Sequence, residues 1–184
     1  MSLVALITVV AMTAGVVAWS VVRASDDSRP ASADALVVFA GESARTRLTL
    51  ELSDDLESSG IAPVVVFSHG LDEPAIRDHC GQLHPVEVLC PTPEPSNTRG
   101  EARMFAAIAA ERGWRSLVAV TGDYHLARSR TLLTRCLDNT TDDTTDDTNT
   151  DVAFITVDWD AVPMSVYRHE TAALWHARFI DRSC

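Results

Sequence analysis

The chain contains no lysine; all 15 of its basic side chains are arginine. That absence removes the Walker A motif, whose lysine reaches the phosphates of a bound nucleotide. Glycine is sparse, with eight residues, and neither a GxGxxG nor a GxSxG pattern occurs. The dinucleotide fingerprint and the nucleophile elbow are therefore excluded. No two cysteines form a CxxC pair, and His79, His84, His169 and His176 are scattered without the spacing of a zinc motif, so no metal is expected. Positive charge is also scarce: the net charge is −11. Nucleic acid selects a basic surface, so no nucleic-acid partner is expected.

What the chain does have begins near its start. Residues 3–22 form an apolar run without a charged side chain. At 1.5 Å rise per residue, about twenty such residues cross a bilayer core of about 30 Å. Residues 1–23 are thus expected to form a single-pass anchor that places the remainder outside the cytoplasm. The alternative is a cleaved signal sequence, for which Val22-Arg23-Ala24 offers small residues at the peptidase positions. Cleavage would make the protein secreted. Residues 24–33 are a polar linker, and 34–184 has the length of one domain.

The four cysteines are Cys80, Cys90, Cys136 and Cys184. An even count beyond a targeting segment favours disulfides. Cys80 and Cys90 bracket a short loop and are the natural local pair, which leaves Cys136 with Cys184. Four cysteines still allow three pairings. Much of the acidity sits in residues 138–151, DNTTDDTTDDTNTD. This tract has nothing to bury and reads as a solvated loop. A calcium site is the weaker reading, since the glycine and terminal glutamate of an EF-hand loop are absent.

Short apolar runs alternate with helical patterns. Strands are expected at 34–40, 63–67, 86–89, 117–121 and 152–157, and helices at 44–58, 99–112, 124–137 and 166–180. Continuous apolar strands are the mark of a sheet covered on both faces. The expected fold is α/β, a three-layer Rossmann-like sandwich with a mostly parallel sheet. Such sheets bind ligands at the carboxyl ends of their strands.

The chemistry-bearing residues gather at those ends. The segment SLVAVTGDYHLARSR, residues 116–130, runs from a strand through Thr121-Gly122-Asp123 into a helix. It carries His125 and Arg128 three residues apart, which places them on one helix face. His125 is a candidate acid/base group, and the planar fork of Arg128 suits an anion. Asn97 and Thr98 precede a helix, where backbone N–H groups favour an anion. Thr98 with Glu101 also matches a capping box. Arg45 and Arg47 follow the first turn, in which Glu42 is the only carboxylate. His69, Asp72 and Glu73 follow the second.

Taken in order, the Arg47-Leu48 helix, Ser68-His69-Gly70, Ser96-Asn97-Thr98 with Glu101, and Thr121-Gly122-Asp123-Tyr124-His125-Leu126-Ala127-Arg128 resemble the DUF218 domain family. That group includes the YdcF-like proteins and the envelope proteins SanA and ElyC. The resemblance spans about residues 34–180. It implies a Rossmann-like fold with a site at the strand ends, a role in cell-envelope biogenesis for anchored members, and binding of an anionic or phosphorylated small molecule or envelope precursor. The site residues it carries over are Arg47, Ser96, Asn97, Thr98, Glu101, Tyr124, His125 and Arg128. It names no cofactor and leaves catalysis open. A non-catalytic scaffold, and a hydrolase or transferase acting on lipid-linked phosphates, are the alternatives. The chain departs from the family at Ala40-Gly41-Glu42 and Ser68-His69-Gly70, where fewer glycines leave less room for backbone to approach a ligand.

Overall fold

The structure, a computed structural model, describes residues 29–39, 43–68, 74–140, 150–158 and 162–184; the side chains of 43–48 and of 140 are outside that description. The apolar run at 3–22 and residues 24–28 of the linker also lie outside it. Among the described residues no helix is long and apolar enough to cross a membrane.

Five strands form one sheet: β1 (Ala35–Val38), β2 (Val64–Phe67), β3 (Glu87–Leu89), β4 (Ser116–Gly122) and β5 (Asp151–Val157). Their order across the sheet is β3-β2-β1-β4-β5, and every pair is parallel. The sheet is thus fully parallel where the sequence predicts a mostly parallel one. The helices are α1 (Ser43–Ser58), α2 (Pro74–Cys80), α3 (Thr98–Arg112), α4 (Leu126–Thr140) and α5 (Met164–Trp175). A 3-10 turn, Asp123–His125, precedes α4, and a π turn, His176–Ile180, follows α5.

Alternation along each strand sends successive side chains to opposite layers. Ala35, Val37, Val64, Val66, Leu117, Ala119 and Phe154 join one core with Phe105 of α3 and Leu133 of α4. Leu36, Val38, Val65, Phe67, Val118, Val120 and Ile155 join the other with Leu56 of α1 and Ile76 of α2. A strand buried on both faces leaves no polar alternate position, which explains the unbroken apolar runs.

The chain moves outward from β1 to β2 and β3, then returns to the other side of β1 for β4. That reversal places the topological switch point beside the carboxyl ends of β1 and β4, where doubly wound sheets bind ligands. Asp34 fixes the neighbouring pair. Its Oδ2 accepts from the backbone N–H groups of Arg115 (2.7 Å) and Ser116 (2.9 Å) and from the Ser116 hydroxyl. The Arg115 N–H is the largest influence, and together these donors hold the Asp34 carboxyl below its usual range.

Helix α4 runs on to Thr140 and β5 starts at Asp151. Asp138, Asn139 and Thr140 therefore belong to a helix rather than to the acidic loop predicted at 138–151. The loop's remainder, 141–149, is outside the described residues. The two predicted disulfides are present: Cys80–Cys90 and Cys136–Cys184, with Cα atoms 6.5 and 4.9 Å apart.

Candidate functional site

Helix α3 is entered through a folded-back turn. Asn97 is the N-cap: its Oδ1 accepts from the backbone N–H groups of Arg99 (3.0 Å) and Gly100 (3.1 Å). The cap thus lies one residue before the Thr98 position that the capping-box spacing predicts, and Thr98 becomes the first helical residue. Glu101 accepts a hydrogen bond from the Ser68 hydroxyl at the end of β2. Both residues are buried, so this bond ties α3 to the strand end.

Gly100 makes the turn possible. A Cβ there would lie 1.9 Å from the carbonyl oxygen of Pro95, which is backbone and has little freedom to yield. The Pro95 carbonyl also accepts from the Asn97 N–H at 2.8 Å. Replacing Gly100 with alanine is expected to force the turn off the helix and cost about 2 kcal/mol by overpacking. For a domain of this size that is a fall of about 4–8 °C in melting temperature. A melting curve at the wild-type temperature would contradict the steric account.

Relieved of capping, the Thr98 hydroxyl lies 3.3 Å from Nε2 of His125. On the other side of the ring, His125 Nδ1 is 3.2 Å from Oε2 of Glu170 on α5. Arg128 closes the group with a two-pronged contact. Its Nε donates to Glu170 Oε2 and its Nη2 to Oε1, each at 2.8 Å. Thr98, His125 and Glu170 are 5, 7 and 5% exposed. Four elements converge here: the start of α3, the turn that leaves β4, the first turn of α4 and the middle of α5.

Nδ1 of the imidazole faces two groups: Glu170 Oε2, which accepts, and Arg128 Nη2 at 3.1 Å, which can only donate. A ring hydrogen on Nδ1 directed at Glu170 leaves the Nε2 lone pair to the Thr98 hydroxyl. Burial alone would raise the Glu170 pKa. The hydrogen bond and charge of His125, with the Arg128 guanidinium, outweigh it and lower the value from 4.5 to about 2. A hydroxyl, an imidazole and an anchored carboxylate in line is the arrangement that lets the imidazole take and return a proton.

The remaining predicted residues fall around this line. Tyr124 is buried against Tyr167 of α5, and its ring crosses the strand end so closely that a Cβ on Gly122 would lie 2.7 Å from Tyr124 Cε1. Ser96 and Asn97 are exposed at the entrance to α3. Arg47 lies on α1, with its side chain outside the described residues, as are Glu42, His69, Asp72 and Glu73 entirely.

The sequence reading missed Glu170. Its signal was present: Val166, Glu170, Leu174 and Ala177 recur at helical spacing, so a carboxylate stands in an otherwise apolar stripe. The reading also took His79 and His84 as unconnected, whereas the fold brings both against Glu57. No protein-family model matches the chain, and no match was found among curated proteins or solved structures.

Proposed function

We propose that the cluster at the carboxyl edge of the sheet is a small-molecule site in which His125, oriented by Glu170, transfers a proton at the Thr98 hydroxyl or at a ligand hydroxyl beside it. The observation that carries this reading is the continuous line from Thr98 Oγ1 to His125 Nε2 and from His125 Nδ1 to Glu170, built from three distant parts of the chain. Side chains this buried are seldom ionisable unless paired, and a paired, perturbed set at the strand ends is where a functional site is sought.

The proposed ligand is an anionic or phosphorylated small molecule, as the DUF218 resemblance implies. The geometry changes the part each residue plays in that reading. Two of the three Arg128 nitrogens donate to Glu170, and Asn97 serves the helix cap. Arg128 is thus a positioning residue that keeps Glu170 ionised, and His125 is the group facing the ligand. This favours an enzyme acting on phosphorylated envelope intermediates over a passive scaffold, since binding alone needs no oriented imidazole.

The proposed setting is the cell envelope, with residues 3–22 as the membrane tether and the α/β domain outside the cytoplasm. Two disulfides support it, because such bonds persist in oxidising compartments and are rare in the cytosol.

A thermal-shift series on the full chain in detergent tests the site, with inorganic phosphate, sugar phosphates, nucleotides and polyprenyl phosphates as probes. A ligand at 100 times its Kd stabilises the native state by about 2.7 kcal/mol, a rise of about 5–10 °C. At least one phosphorylated probe is expected to give this rise with the wild type and none with His125→Asn. Equal shifts in both proteins would remove His125 from the site. No shift with any probe would remove the phosphorylated-ligand reading.

A further inference from the structure

A second cluster of titratable side chains lies in the opposite layer of the sandwich, unused by the strand-end site. Glu57 sits in the last turn of α1, His79 in α2, and His84 in the loop between α2 and β3. The Cys80–Cys90 disulfide brackets that loop and pins it beside the sheet. One ligand atom from each of the three residues lies within 4.8 Å of the others.

The orientation of these atoms is the informative part. His84 Nε2 is 2.9 Å from the backbone carbonyl of His79, so it carries the ring's hydrogen. His84 Nδ1 lies 3.1 Å from Glu57 Oε2, a contact that without a cation needs a second ring proton and whose place a metal ion could take. The other Glu57 oxygen, Oε1, and His79 Nε2 have no hydrogen-bond partner among the described residues. They are 3.9 Å apart, too far to satisfy each other. The His79 and Glu57 side chains are 8 and 3% exposed. Buried polar atoms left in this way are costly, and here they converge with a third electron-pair donor.

We propose that Glu57, His79 and His84 bind one divalent transition-metal ion of the zinc class through the Glu57 carboxylate, His79 Nε2 and His84 Nδ1. A cation at the centre satisfies all three donors at once, which a single proton does not. Metal–nitrogen and metal–oxygen bonds of about 2.0–2.2 Å at tetrahedral angles put neighbouring donors roughly 3.3–3.5 Å apart. The observed 3.1 and 3.9 Å bracket that range. Two imidazoles favour zinc-class ions over calcium or magnesium, which prefer oxygen. The His84 N–H donated to a main-chain carbonyl is the outer contact that metal-bound histidines usually make. Asp54, whose Oδ1 is 3.6 Å from His79 Nε2 and whose side chain is 58% exposed, stands where a fourth ligand or its bridging water belongs. The ion would clamp the end of α1 to the disulfide-bracketed loop. This assignment is independent of the strand-end site.

The test is zinc titration of the full, oxidised chain after chelator treatment, with a chromophoric chelator as competitor. One ion per chain is expected to bind. His79→Ala and His84→Ala are each expected to weaken binding by about 100-fold or more, since a lost ligand costs at least as much as a lost outer contact. His169→Ala and His176→Ala should leave it unchanged. The conservative variant Glu57→Gln guards against misfolding: it should keep the native circular dichroism and lose the zinc-dependent rise in melting temperature. Cobalt(II) should give the intense visible bands of a tetrahedral site with the wild type only. Absence of stoichiometric binding, or binding that survives both histidine variants, would overturn the proposal.

Discussion

Glu170→Gln is expected to destabilise the protein by about 3 kcal/mol at neutral pH and by much less in acid. The carboxylate accepts from His125 and from two nitrogens of Arg128 while nearly excluded from water. Removing one partner of such a pair leaves the other charge poorly compensated, which typically costs 3–5 kcal/mol. The lowered pKa gives an independent figure. A shift from 4.5 to about 2 corresponds to about 3 kcal/mol.

The sign follows from linkage. Glu170 binds its proton more weakly in the folded state than in the unfolded one, so its contribution is complete above the unfolded value near 4.5. It fades as pH falls through the folded value near 2. Urea unfolding of wild type and Glu170→Gln at pH 7, 4 and 3 checks this. The gap between the two proteins should be widest at pH 7 and close to about 1 kcal/mol by pH 3. A gap that stays constant with pH would mean that the charge of Glu170 is not what stabilises the cluster.

The second large effect concerns the Cys136–Cys184 disulfide. It closes a loop of 48 residues, and the chain-entropy relation assigns such a loop about 4 kcal/mol. The Cys80–Cys90 bond closes one of ten residues, worth about 3 kcal/mol on the same relation. The longer bond also gathers the C-terminal segment onto α3. There Arg99 pairs with Asp181 at 3.2 Å and donates to the carbonyl and hydroxyl of Ser183. The same segment carries on from α5, so the bond helps hold Glu170 over His125. Cys136→Ala with Cys184→Ala is expected to lower the melting temperature by about 8–16 °C and to exceed the effect of Cys80→Ala with Cys90→Ala. Calorimetry of the two double variants decides; an equal or reversed order would show that the C-terminal segment docks without its covalent tie.

How much of this was legible beforehand depended on the range of each interaction. The strands could be read because burial on both faces demands an unbroken apolar run, and Ala35–Val38, Val64–Phe67 and residues 117–120 of β4 satisfy it. Helix α2 was harder. Pro74–Cys80 has only Ile76 and His79 buried, too short a pattern for helical periodicity to stand out. Thr98 and His125 could be found because each lies at a strand or helix end, where local sequence marks a ligand position. Glu170 could not be joined to them, since 45 residues separate it from His125 and only the packing of α5 across the strand ends brings it near. The same holds for Glu57 and His84, 27 residues apart. A motif search finds metal ligands at short spacing and passes over those that two helices and a disulfide assemble.

The central claim is that Glu170 fixes His125 so that Nε2 faces Thr98 and the ligand. The most direct measurement is the long-range nitrogen–proton NMR spectrum of the His125 imidazole, in the neutral ring, with and without a phosphorylated ligand. The account predicts a single tautomer protonated at Nδ1, an Nε2 signal that moves when ligand is added, and loss of the tautomer preference in Glu170→Gln. A ring protonated at Nε2, or an Nε2 signal indifferent to ligand, would contradict it.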